Sequence, residues 1–142
     1  MSAHPEAWRS LVILAHTLEE ALDRQSRRDG GIPHAYYKLL VFLYEGQQLT
    51  MTELAAQLKY SSSRLTHAVA SLERSGWARR IRSTHDRRVQ YVELTDAGAD
   101  VVRRVTPGQV AEVRQRVFES LSAHEIATLG ALVDRVVANL DG

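Results

Sequence analysis

The chain has 142 residues, 44% of them hydrophobic, a formal net charge of +1 and no cysteine. That length suits a single domain, 1–142, with a sizeable core, while the missing thiols exclude disulfides, thiolate metal sites and thiol redox sensing. Arginines or acids break every apolar run well before the ~20 residues a bilayer span needs, and "MSAHPEAWRSLVILAH" has no basic leader, so a cytoplasmic protein with no membrane partner is expected.

From Pro5 to Arg28, Trp8, Leu11, Val12, Ala15, Leu18 and Leu22 recur at the spacing of one helical face, and Pro5 suits a first-turn position. "RRDGGIP" ends this helix: Gly30 and Gly31 accept left-handed backbone, and Pro33 opens "PHAYYKLLVFLYEG". Apolar residues surround most of that second helix, which places it centrally.

Thr50 and Glu53 have the spacing of a capping box for a short helix ending near Leu58, and Ser61 can cap another that runs until Gly76 supplies its stop. Two helices thus meet across Lys59 and Tyr60. Leu65, Val69 and Leu72 form the inward stripe of the second, leaving Ser62, Ser63, Thr66, His67 and Ala70 on a small, polar outer face. "WARRI" and "VQYVEL" then read as paired strands around "RSTHDRR", with Val92 and Leu94 on one face and Tyr91 and Glu93 on the other. Thr95 can cap a further helix, which Pro107 and Gly108 are expected to kink or interrupt before "QVAEVRQRVFESL". Ser122 and Glu125 make another capping box, starting a terminal helix with Ile126, Leu129, Leu132, Val133, Val136, Val137 and Leu140 apolar. There is no internal repeat.

Helix, turn, helix and β-hairpin in that order predict a mainly α fold with a small β-hairpin wing (α+β), a winged helix-turn-helix over 33–95. Charge follows this plan. Residues 59–90 hold eight of the 18 basic residues (Lys59, Arg64, Arg74, Arg79, Arg80, Arg82, Arg87 and Arg88) and only two of the 17 acids, Glu73 and Asp86. The rest of the chain is net acidic, so the basic character is local and marks a polyanion-binding face. Duplex DNA has a groove wide enough for one helix. Ser61, Ser62 and Ser63 allow close approach and can bind phosphate, while Arg64, Thr66 and His67 can reach toward bases; for Ser61, capping and contact are equally good readings. A basic loop beside such a helix reaches the neighbouring minor groove, whose negative potential attracts arginine. Asp86 reads equally as a turn residue or as a carboxylate that fixes Arg88 by a bidentate contact.

With these residues in view the chain resembles the MarR family of bacterial transcriptional regulators over nearly its whole length. The resemblance lies in "LTMTELAAQLKYSSSRLTHAVASLERSGWARR", in "DRRVQYVELTDAG" and in the flanking helices; the family's wing motif, an Asp, any residue, an Arg and a downstream Leu-Thr, falls on Asp86, Arg88, Leu94 and Thr95. It implies that Arg88 enters the minor groove, oriented by Asp86, that the Ser61-to-Arg74 helix lies in the major groove, and that Arg82, His85 and Arg87 add supporting contacts, chiefly to phosphate. It also implies a homodimer joined through helices 5–28 and 96–140, binding a pseudo-palindromic double-stranded DNA operator, most commonly as a repressor. A small aromatic or phenolic effector is implied for many relatives; His16, His34, Tyr36 and Tyr37, on the first two helices, are the candidates for its polar lining, against ordinary core or interface packing.

No cofactor or metal is expected: His4, His16, His34, His67, His85 and His124 are scattered without ligand spacing. Nor is catalysis, since there is no nucleophile elbow, phosphate-cradling glycine loop or histidine beside a serine nucleophile. The alternative function is a winged helix serving as a protein–protein module without DNA binding.

Overall fold

The computed structural model describes residues 4–46 and 48–140. Its elements run α1 (Pro5–Gly30), α2 (His34–Gly46), β1 (Gln48–Thr50), α3 (Met51–Leu58), α4 (Ser62–Arg74), β2 (Ala78–Arg82), β3 (Gln90–Leu94), α5 (Asp96–Val113), a π-helical stretch (Arg114–Phe118) and α6 (Ala123–Leu140). The chain divides into two compact units, one ending at Gln109 and the other beginning at Val110.

The first unit is organised around α2. Tyr37, Leu39, Leu40 and Leu43 are buried there with Leu54 of α3, Leu65, Val69 and Leu72 of α4, Val92 of β3 and Val101, Val102 and Val105 of α5. The predicted hairpin is present: Ala78 pairs with Leu94 and Arg82 with Gln90, antiparallel, with Val92 buried and Tyr91 and Glu93 half-buried. Sequence reading missed β1, which adds to the other edge of β3 through Leu49 opposite Val92, giving the order β1-β3-β2. Three residues are too few to show alternation, and only the tertiary partner makes them a strand.

Local grammar sets most of the ends. Thr50 Oγ1 accepts from the Glu53 N–H while the Glu53 carboxylate accepts from the Thr50 N–H, both at 3.1 Å. Lys59 takes a left-handed conformation, φ 59°, and its N–H reaches back to the end of α3. Gly76, φ 77°, closes α4 with its N–H on the Glu73 carbonyl. Of the two glycines after α1 only Gly31, φ 65°, needs the left-handed region; Gly30 remains helical, extending α1 beyond Arg28, and a side chain there would strike Val105.

Of the kink or interruption expected at Pro107 and Gly108, the interruption is absent. Helix α5 continues through Pro107 and Gly108, and α geometry gives way only at Arg114–Phe118. Proline inside a helix costs about 3 kcal/mol, but tertiary contacts hold the turn before it: Gln25 Nε2 donates to the Val105 carbonyl at 2.9 Å, and the Tyr37 hydroxyl bonds Thr106 Oγ1 at 2.7 Å. Gly108 allows the close approach, since a Cβ there would meet Asp29 and Gln25.

In the second unit α6 begins with the predicted box: the Ser122 hydroxyl accepts from Glu125 N–H and the Glu125 carboxylate accepts from Ser122 N–H. No residue of α6 is buried.

Candidate nucleic-acid interface

The outward face of α4 is built by its cap and its inward stripe together. Burying Leu65, Ala68, Val69 and Leu72 leaves Ser61, Ser62, Ser63, Arg64, Thr66 and His67 exposed. The Ser61 side chain accepts from Arg64 N–H at 3.1 Å, so this serine is a helix cap. Thr66 Oγ1 donates to the Ser62 carbonyl, and the residue stays exposed.

The wing loop between β2 and β3 is organised by Ser83 and Asp86. Ser83 Oγ accepts from the His85 and Asp86 N–H groups, Val89 N–H bonds the Asp86 carbonyl, and Ser83 N–H bonds the Val89 carbonyl. Asp86 then grips Arg88 in two parallel bonds, Nε to Oδ1 and Nη2 to Oδ2, both 3.1 Å, while Arg88 N–H donates to Oδ1 at 3.0 Å. These bonds hold the Asp86 carboxyl below the usual carboxylate range, the Arg88 side-chain contact contributing most. The Arg88 side chain is 90% exposed, so the carboxylate fixes a guanidinium that otherwise stands in solvent.

The basic residues near the wing fall into two groups. Arg79 is bound by Glu93 at 2.6 Å and Arg80 by Glu73 at 2.7 Å. These pairs tie β2 to β3 and to the end of α4. Arg82 and Arg87 are exposed with no ion pair among the described residues, and His85 is exposed beside them. A cleft of about 290 Å³ opens between Thr50, Met51, Thr52 and the returning arm Arg87–Gln90.

Thr95 caps α5 as expected, while its bond to Gly76, the close pass at Gly98 and the Glu73–Arg80 pair had no local signal. Thr95 donates its hydroxyl proton to the Gly76 carbonyl at 2.6 Å and accepts from Gly98 N–H at 3.1 Å, joining the end of α4, the end of β3 and the start of α5. Gly98 lets α5 pass against the Trp77 carbonyl, which a Cβ would strike. The Glu73–Arg80 pair spans seven residues, and only the fold makes those positions neighbours.

The four effector candidates occupy different settings. His16 is exposed on α1, its Nε2 3.2 Å from Glu20. His34 is buried, with Nδ1 2.7 Å from Glu19 Oε1 and Nε2 lacking a partner among the described residues. Its ring stacks on that of Tyr37 with centroids 6.0 Å apart. Burial raises the Tyr37 hydroxyl above its ordinary pKa, partly offset by the bond to Thr106. Tyr36 is half-buried against the core. Among the described residues no cluster of three or more His, Asp or Glu side chains could hold a metal ion, and no helix is long and apolar enough to cross a membrane.

Comparison with known proteins agrees with this architecture. A model of the MarR family matches residues 30–89. Sco3205, a MarR family transcriptional regulator from Streptomyces coelicolor solved in complex with DNA, is 45% identical, with a TM-score of 0.93 over 100% of this chain and 90% of its own. AbsC, a MarR family transcriptional regulator from the same organism, is 28% identical with a TM-score of 0.91, over 100% of this chain and 97% of its own. The transcriptional repressor MprA of Escherichia coli (strain K12) is 29% identical over 113 residues, 78% of this chain and 64% of MprA. A mostly helical chain with a three-stranded antiparallel wing, matched along its length by such a relative, belongs to the MarR family of DNA-binding transcriptional regulators and is not an enzyme.

Proposed function

We propose that this chain is a homodimeric repressor that binds a pseudo-palindromic operator, with one α4 helix in each of two major grooves and one wing in each flanking minor groove. The observation that carries the proposal is the Asp86–Arg88 clamp, which presents a fixed, exposed guanidinium at the wing tip. A minor groove attracts such a group. The exposed Arg82, His85 and Arg87 serve the adjoining phosphates, and Ser61, Ser62, Ser63, Arg64, Thr66 and His67 face the major groove. The DNA solved with Sco3205 supports the choice of partner, and the name of MprA supports repression.

Self-association accounts for apolar surface that the single chain leaves open. Trp8, Leu11, Val12, Ile13 and Leu14 are exposed on α1, as are Leu129, Leu132, Val133, Val136, Val137 and Leu140 on α6. Monomeric proteins rarely leave contiguous faces of this kind uncovered, and a two-fold partner covers both while setting half-sites about 10 bp apart. Release by a small aromatic or phenolic acid completes the proposal, with the buried His34 Nε2, unpartnered among the described residues, as its supporting observation.

The test is binding to duplex DNA from the chain's own upstream region across a salt series. Affinity is expected to fall steeply with salt, because phosphate contacts release counterions, and Arg88→Ala is expected to cost about 1–3 kcal/mol at low salt. Absence of low-salt affinity for that region would sink the operator, and an unchanged curve for Arg88→Ala would remove the wing tip from the interface.

A further inference from the structure

Two exposed arginines of the proposed interface, Arg64 and Arg88, are held in chemically different ways. Arg88 is gripped by its edge: Nε and Nη2 are both committed to the Asp86 carboxylate. Arg64 is held against an aromatic ring. Its guanidinium carbon lies 3.9 Å from the centroid of the Tyr60 ring, within the range of a cation–π contact, and among the described residues its side chain makes no hydrogen bond or ion pair.

The geometry follows from the turn. Side chains on a helix lean toward its N-terminus, so Arg64, in the first turn of α4, leans back over the residue that joins α3 to α4. Tyr60 is anchored there by its N–H on the Ala55 carbonyl at 3.0 Å and by packing of its half-buried ring against the core. The Ser61 cap fixes the Arg64 backbone from the other side.

A guanidinium carries five in-plane N–H donors. The contact with the Tyr60 ring uses no lone-pair acceptor, and Arg64 keeps its donors for a ligand. Guanine offers N7 and O6 side by side in the major groove, the acceptor pair that arginine meets with two parallel bonds. We propose that Tyr60 is a positioning residue that holds Arg64 as a reader of one guanine in each operator half-site, while Arg88, its bidentate edge spent on Asp86, recognises groove shape and potential rather than a base. This assignment rests on the proposed DNA-binding role and extends it to base specificity.

The full chain is used to enrich duplexes from a randomised pool, and binding to an enriched duplex is then measured with each guanine replaced in turn by 7-deazaguanine, which lacks the N7 acceptor. One replacement per half-site is expected to weaken wild-type binding about 10-fold to 100-fold. Arg64→Ala and Tyr60→Leu are expected to bind the unmodified duplex with a similar loss and to become indifferent to that replacement. Tyr60→Phe, which keeps the ring face, restores both affinity and discrimination. Arg64→Ala leaves the Tyr60 packing in place, so its result stands even where Tyr60→Leu fails to fold. Enrichment of no duplex overturns the DNA-binding role and this assignment together. Enrichment of a duplex whose 7-deazaguanine sensitivity persists in Arg64→Ala, or in a folded Tyr60→Leu, overturns the assignment alone.

Discussion

Leu65, Val69 and Leu72 on α4 and Leu129, Leu132, Val133, Val136, Val137 and Leu140 on α6 follow the same helical spacing, yet the first set is at most 1% exposed and the second 37–77% exposed. Within the winged unit, α3 and β2 pack against α4, and its stripe joins the buried core. In the second unit α6 ends its run with no buried residue. Periodicity identifies an apolar face but not what covers it. The contrast separates the face that closes the winged unit from the face that is proposed to hold two copies together.

The largest effect is expected where that contrast is reversed by charge. Leu132→Asp with Val136→Asp places two carboxylates, one turn apart, on the face proposed to pair with a second copy. An uncompensated charge in a buried interface costs about 3–5 kcal/mol, so light scattering is expected to report a monomer, with α-helical content retained and operator affinity reduced about 100-fold or more as the second half-site contact is lost. A dimer that survives both substitutions would mean that α6 covers nothing in the assembly.

Leu72→Ala is the matching probe of the closed face. Removing a fully buried leucine costs about 2–5 kcal/mol. The thermal midpoint should drop while light scattering on the folded protein still reports a dimer. A dimer lost before the winged unit melts would show that the two faces are one cooperative structure rather than two.

How far these regions were legible beforehand depended on the range of the interaction. The boxes at Thr50–Glu53 and Ser122–Glu125, the Ser61 cap and the left-handed Gly76 span three residues or fewer, and their geometry follows from that spacing. The Asp86–Arg88 contact is equally local, and the sequence already left it as one of two readings. Strand β1, the Glu73–Arg80 pair and the continuity of α5 past Pro107 depend on partners brought from elsewhere by folding. At Pro107 local propensity allowed an interruption that does not occur, and Gln25 and Tyr37 hold the turn before it. The Tyr60–Arg64 contact is an intermediate case. Its four-residue spacing was visible, but Tyr60 lies outside the helix, where an i, i+4 rule gives no expectation.

The smallest expected difference compares the two capping boxes, because the same local bonds stand in both regions. Thr50→Ala and Ser122→Ala each remove a hydroxyl cap, costing about 1 kcal/mol. The first should lower the midpoint of the winged unit, and the second should weaken self-association measured by dilution, since fraying the start of α6 disorders the proposed dimer face. Acid separates them further. The Thr50 side chain and N–H hold Glu53 below its usual pKa, and the Ser122 N–H and hydroxyl do the same for Glu125. A carboxylate depressed in the folded state contributes stability that is complete above its unfolded value, about 4.3, and is lost as pH falls through the folded one. Gln replacement preserves the capping shape without titrating. Glu53→Gln should therefore flatten the acid dependence of melting, and Glu125→Gln that of dimer dissociation, between about pH 6 and pH 3. If Glu125→Gln instead altered only melting, α6 would belong energetically with the closed core and the difference between the two apolar faces would be one of exposure alone.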